Sequence, residues 1–140
     1  MATTDDVDVI LDLEAQYEFE QYSRNNVLAS LDDKNTITLL AFAGNICVGY
    51  LSALVVLDEC NLLKIIVGSN YRKNGYAQAL MQELIMILKE KSVSKIFLEV
   101  RKDNINAKNL YEKIGFIKNG ERKNYYNNNV DAELYWYNII

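Results

Sequence analysis

Histidine and proline are absent from this chain, and cysteine occurs only twice, at Cys47 and Cys60. Without histidine there is no Ser-His-Asp or Cys-His nucleophile system, and the two cysteines are the only soft metal ligands. No metal site is expected, and any proton transfer falls to Glu, Asp, Tyr, Lys, Cys or water. Two cysteines in neighbouring predicted strands do not make a disulfide framework and read as buried free thiols. Basic charge is also in deficit: 15 Lys and Arg stand against 19 Asp and Glu, a net charge of -4. That balance argues against a nucleic-acid partner, which needs clustered cations, and is compatible with a basic peptide substrate. There is no basic leader followed by an apolar stretch. The longest apolar run, 46–57, is interrupted and far short of a membrane span, so the chain is expected to be cytoplasmic with no membrane partner.

What is present fits one globular domain over residues 1–140, half of them apolar and 24% charged. Asp5 and Asp6 precede an apolar rhythm at Val7, Ile10, Leu11, Leu13 and Tyr17, the pattern of a capped amphipathic helix, and a second short helix is expected over 25–31. Segments 37–42 and 46–57 are rich in β-branched and aromatic residues around Ala43-Gly44-Asn45, which predicts a hairpin. A turn at 58–61 then leads into a third strand, 62–67. From Gly75 to Lys91 apolar residues recur every three or four positions, as in a helix with one buried stripe. Residues 96–101 alternate as a strand, and the helix before it forces a crossover, so this strand is expected to run parallel to 62–67. Asp103 and Asn104 can cap a helix that Gly115 ends, and 122–126 with 131–139 form a terminal hairpin around Asn127-Asn128-Asn129. The fold class is α/β (α+β): an antiparallel meander, a parallel strand pair, helices on both faces of a mixed sheet, and a C-terminal hairpin.

Two stretches carry chemistry. Tyr71-Arg72-Lys73-Asn74-Gly75-Tyr76-Ala77-Gln78 joins a strand to a helix start, where free N–H groups and the helix dipole attract an anion. Taken alone, Arg-x-x-Gly-x-Ala also describes a solvated turn. Glu99 lies on the strand face opposite Ile96, Leu98 and Val100, where a solvent-facing glutamate is also natural. Tyr111 lies on the apolar stripe of its helix, where a core tyrosine is natural. Asn104 can be an N-cap, and the pair Tyr125 and Tyr126 can pack across strands.

In combination these stretches resemble the GNAT superfamily of N-acetyltransferases. Arg72-x-x-Gly75-x-Ala77 is similar to its pyrophosphate loop. Leu98-Glu99-Val100-Arg101 with Asn104, Ala107, Leu110-Tyr111 and Gly115-Phe116, and the ending Arg122-Lys123-Asn124-Tyr125-Tyr126 with Asp131-Ala132, resemble the branch of RimI-type ribosomal-protein-alanine N-acetyltransferases. The family usually has a strand before its first helix, and only residues 1–4 remain for one here. The resemblance implies acetyl-CoA as co-substrate. Its pantetheine would lie along Ile65, Ile66 and Val67, its pyrophosphate on Lys73, Asn74, Gly75, Tyr76, Ala77 and Gln78, and Asn104 would bond the pantetheine arm, leaving Asp103 to cap. It implies Glu99 as base, Tyr111 as acid, Tyr125 and Tyr126 near the acceptor, and a protein N-terminus, in that branch ribosomal, as acceptor. A lysine or small-molecule amine as acceptor, and a non-catalytic acetyl-CoA sensor, are the competing readings.

Overall fold

The computed structural model describes residues 1–139. Helices α1 (Val7–Glu14) and α2 (Arg24–Asp32) precede the strands β1 (Thr36–Ala43), β2 (Ile46–Val56) and β3 (Glu59–Val67). Then come α3 (Tyr76–Glu90), β4 (Lys95–Arg101), α4 (Ile105–Ile114), β5 (Ile117–Tyr126) and β6 (Val130–Asn138). The six strands form one sheet in the order β1-β2-β3-β4-β6-β5. Among the described residues only β3 and β4 run parallel; the other neighbours are antiparallel. The expected mixed sheet is therefore present, with the terminal hairpin docked so that its second strand lies beside β4.

Two apolar clusters explain the layering. Leu80, Met81, Leu84, Ile85 and Leu88 form the predicted stripe of α3 and pack with Leu51, Ala53, Cys60 and Ile96 on one face. On the other face Val7, Ile10 and Leu13 of α1 and Val27 of α2 meet Tyr50 and Ile66. Full burial of each such aliphatic side chain is worth about 1.5–3 kcal/mol, so helices on both faces follow from where the stripes lie. Among the described residues no helix is long and apolar enough to cross a membrane.

The structure corrects several boundaries. The turn after β2 is confined to Leu57 and Asp58, so Glu59, Cys60 and Asn61 belong to β3. These three residues make the whole parallel pairing, with Lys95, Ile96 and Phe97; from Leu62 onward β3 and β4 separate. β4 thus runs parallel to β3 as expected, with the paired stretch confined to 59–61 and a splay over 62–67. A bulge accompanies it: Ser52 faces Lys64 and Ala53 faces Leu62, leaving Leu63 as the extra residue of β3. Strand β5 begins at Ile117, not Arg122, and is broken between Arg122 and Tyr126, where Asn124 has φ 52°. At the start, Thr3 caps a turn of 3₁₀ helix and the Asp6 carboxylate accepts the Thr3 N–H at 2.8 Å. No strand precedes α1 among the described residues, and Ala2 makes one backbone bond to the Thr38 carbonyl. The expected helix to Tyr17 ends at Glu14, which frees 15–23 as a loop. Of the two free thiols, Cys60 is fully buried and Cys47 only half-buried.

Candidate active site

The splay opens the sheet along an edge with unpaired backbone, and the chain on leaving β3 builds the first cavity there. Gly68 donates its N–H to the Val48 carbonyl at 2.7 Å, Arg72 Nε donates to the Val67 carbonyl at 3.3 Å, and Lys73 and Gly75 have φ 64° and 85°. Among the described residues no side chain caps α3, and the N–H groups of its first turn have no intrahelical acceptor and point out of the helix start. A Cβ placed on Gly75 would meet nothing within 4 Å, so the backbone here borders open space. The resulting cleft holds about 520 Å³. Ile65, Ile66, Val67, Lys73, Gly75, Tyr76, Ala77, Gln78 and Asn104, nine of the residues expected around the co-substrate, all line it. Asn74 does not: its side-chain amide donates to the Tyr71 carbonyl at 3.2 Å and shapes the loop from within.

Asn104 corrects one inference. It, and not Asp103, caps α4, its Oδ1 accepting the Ala107 N–H at 3.3 Å. Asp103 is held by Arg101, through Nε at 3.0 Å and Nη2 at 3.1 Å. The cap occupies only the Asn104 oxygen, so the Nδ2 donors still face the cleft.

A second cavity of about 680 Å³ lies on the other side of the splay and shares Tyr17, Ile65, Asn104 and Ala107 with the first. It brings together Glu99, Tyr111, Tyr125 and Tyr126. Glu99 comes from β4 on the α1 face, its side chain 31% exposed and paired with Arg122 Nη2 at 3.3 Å. The Glu99 carboxylate beside Tyr125 holds that hydroxyl above its ordinary value. Tyr111 enters from α4 on the opposite face. It is 6% exposed, its ring packing on Phe116 at 5.7 Å and Tyr135 at 6.4 Å, with no hydrogen bond to its hydroxyl among the described residues. Burial first, then Tyr17 and Tyr126, keeps the Tyr111 proton on well above the usual tyrosine range. A base-capable carboxylate and a protonated hydroxyl thus reach one cavity from the two sides of the sheet.

Several residues of this site escaped the reading of the sequence. The loop 15–23 forms one wall through Tyr17, Glu20 and Tyr22, and two cations hold it. Lys64, 8% exposed, pairs with the 1%-exposed Glu14 at 3.3 Å, bonds the Glu20 carbonyl at 2.6 Å, and lies 3.9 Å from the Tyr22 ring centroid. Tyr50 donates to the same Glu14 carboxylate, which also accepts the Tyr22 N–H at 2.8 Å. Arg101 Nη1 binds Glu20 at 2.7 Å while its guanidinium lies 4.6 Å from the Phe19 ring. A lysine inside an apolar strand was the available signal, since a buried ammonium requires a carboxylate. Its partner, 50 positions away, was not readable.

Burial above all favours the neutral forms of Tyr17, Tyr111 and Tyr126, with Tyr17 pushed up to about 12 from 10.0. Below pH 10 these groups are protonated in both folded and unfolded chains and add no pH dependence. Above it the unfolded chain releases protons that the folded chain retains, so stability falls as pH rises from 10 towards 12. The Cys60 thiol, pushed up to about 12 from 9.0 by burial, adds a loss of the same sign that begins near pH 9. Urea midpoints should therefore decline only slightly between pH 8 and 9 and drop at pH 11; an equal midpoint at pH 11 would remove these hydroxyls from buried positions.

Comparison with known proteins places this geometry among acetyltransferases. The Acetyltransferase (GNAT) family matches residues 6–116. The ribosomal protein bS18-alanine N-acetyltransferase of Haemophilus influenzae is 37% identical over 120 residues, covering 82% of each chain. The protein of that name from Escherichia coli K12 is 43% identical over 72 residues, 51% of this chain and 49% of that one. The crystal structure of the ribosomal-protein-S18-alanine N-acetyltransferase from Escherichia coli superimposes with a TM-score of 0.92 at 27% identity, covering 99% of this chain and 90% of that one.

Proposed function

Because the chain belongs to the GNAT family of acetyltransferases, we propose that it moves acetyl from acetyl-CoA to the N-terminal α-amine of a ribosomal protein, with Glu99 as base and Tyr111 as acid. The observation that carries this reading is the pair of cavities joined through Tyr17, Ile65, Asn104 and Ala107, with an uncapped helix start in one and Glu99 and Tyr111 in the other. One GNAT domain spanning residues 1–140 accounts for both.

The residues present fit acetyl-CoA, which supplies the acetyl group as a thioester. The free N–H groups of Tyr76, Ala77 and Gln78 and the dipole of a 15-residue helix suit a pyrophosphate. The unpaired edge of β3 from Ile65 to Val67 suits an amide-bearing arm, and the Asn104 Nδ2 can donate to it. Glu99 accepts a proton from the acceptor amine, directly or through one water. Tyr111, held neutral by burial, donates its proton to the departing thiolate. An α-amine has an ordinary pKa of about 7.7–8.0 against about 10.4 for lysine, so near neutrality far more of it is already the nucleophile. A single carboxylate is then sufficient as base.

The test offers matched peptides with free or blocked N-termini, each containing a lysine, and locates the acetyl group by mass spectrometry. Acetyl on the free α-amine is the expected result. Acetylation confined to lysine, or preference for polyamines over every free N-terminus, would sink the acceptor assignment; acetyl-CoA binding without CoA release would make the chain a sensor.

A further inference from the structure

The acceptor cavity is larger than a terminal amine needs, and it continues away from Glu99 over a part of the sheet that no helix covers. On this face α1 packs against β2 and β3, and α2 against β1. The faces of β4, β6 and β5 stay open beside them. Partners in register share a face, so Asn61, Phe97 and Trp136 form one row and Glu99 and Leu134 the next. Phe97 and Trp136 stack at 6.4 Å, and the bulge residue Leu63, which shares the cavity with Phe97, leaves 39% of its surface exposed. Asn61, Leu63, Phe97 and Leu134 all line the cavity that holds Glu99, so the apolar floor is continuous with the reacting end.

The charges along this floor are unequal. Glu99 is paired with Arg122 and Glu20 with Arg101. Glu59 lines the far end of the cavity, is exposed, and has no ion-pair partner among the described residues. Lys95, its register partner on β4, is drawn the other way, its Nζ lying 4.3 Å from the Trp136 ring centroid. Lys95 and Glu99 are four residues apart on one strand, about 13 Å at 3.2–3.4 Å per residue. An extended peptide covers that span in about four residues.

Building on the N-terminal acceptor reading, we propose that this floor is an extended acceptor subsite. It holds the chain that follows the acetylated residue in extended form along β3 and β4, with Glu59 receiving a basic side chain about the fifth acceptor position. Apolar side chains of the intervening residues cover Leu63 and Phe97. The occupant is thus a polypeptide with a positive charge several residues behind its N-terminus; a polyamine can match the charge spacing but lacks the apolar side chains that cover Leu63 and Phe97, and a single amino acid lacks both.

Steady-state kinetics on lysine-free, N-terminally free peptides of two, four and six residues test this, with the six-residue peptide made with arginine or glutamine at position five. KM should fall about tenfold from two to six residues with kcat within about twofold, because remote contacts bind ground and transition states alike. Arginine should bind about threefold better than glutamine, the scale of an exposed ion pair, and in Glu59→Gln the two peptides should converge. A KM independent of length, or an arginine preference that survives Glu59→Gln, overturns the subsite while α-amine acetylation stands. If no peptide is acetylated at any length while lysine or polyamines are, the acceptor reading fails and the subsite with it.

Discussion

Tyr111→Phe should lower kcat by about two to three orders of magnitude and change acetyl-CoA affinity by less than about twofold. The substitution removes one oxygen and keeps the ring, so the packing of residue 111 on Phe116 and Tyr135 survives. No hydrogen bond within the described protein is lost, because the Tyr111 hydroxyl makes none there. Removing a hydroxyl from a fully satisfied core site ordinarily costs stability; here it should cost little, and the loss should appear in the chemical step. The acid must also be protonated when the thiolate departs. Burial keeps this hydroxyl neutral beyond the ordinary tyrosine value of 10.0, so Tyr111 should contribute no fall in kcat between pH 7 and 9. Single-turnover rates with saturating acetyl-CoA isolate that step. A Tyr111→Phe rate equal to the parent would return Tyr111 to the core.

Gly75→Glu should weaken acetyl-CoA binding by at least about 100-fold while the chain stays folded. At φ 85° a side chain costs about 1–2 kcal/mol in the left-handed region. Space is not the obstacle, since nothing lies within 4 Å of the added Cβ, and a carboxylate at the start of α3 is itself favourable to the helix dipole. The new charge therefore takes the place of the anion, satisfying the same N–H groups and repelling phosphate. Gly75→Ala separates the two effects, because it carries the strain without the charge and should lose far less affinity. Titration calorimetry with acetyl-CoA on both folded variants reads the difference. Equal affinity for Gly75→Glu and the parent would remove the 73–78 loop from the binding site.

Local chemistry was legible. The stripe from Leu80 to Leu88, the glycines at 75 and 115 with their positive φ, and the alternation around Glu99 each depend on neighbours within one or two turns or strands. Short-range sterics and periodicity record such features directly. The resemblance added Tyr111 as acid and Glu99 as base, and both line one cavity. Capping was legible only in part: Asp103 and Asn104 were both suitable, and the choice fell to Arg101, which takes Asp103 into an ion pair.

Sequence alone determined the elements, the mixed-sheet class and the resemblance to a family of acetyltransferases, because periodicity and turn chemistry are written in adjacent residues. Tertiary structure decided where the sheet opens. Parallel pairing stops after Asn61, and a one-residue bulge at Leu63 shifts the alternation of β3 so that Lys64 faces Glu14 on α1. It also decided that the loop 15–23 walls the cavity that holds Glu99 and Tyr111, through Lys64 held by Glu14 and Arg101 held by Glu20, 81 positions away. Such ion pairs form between residues that only the folded chain brings together, and their energy depends on burial that no local pattern records.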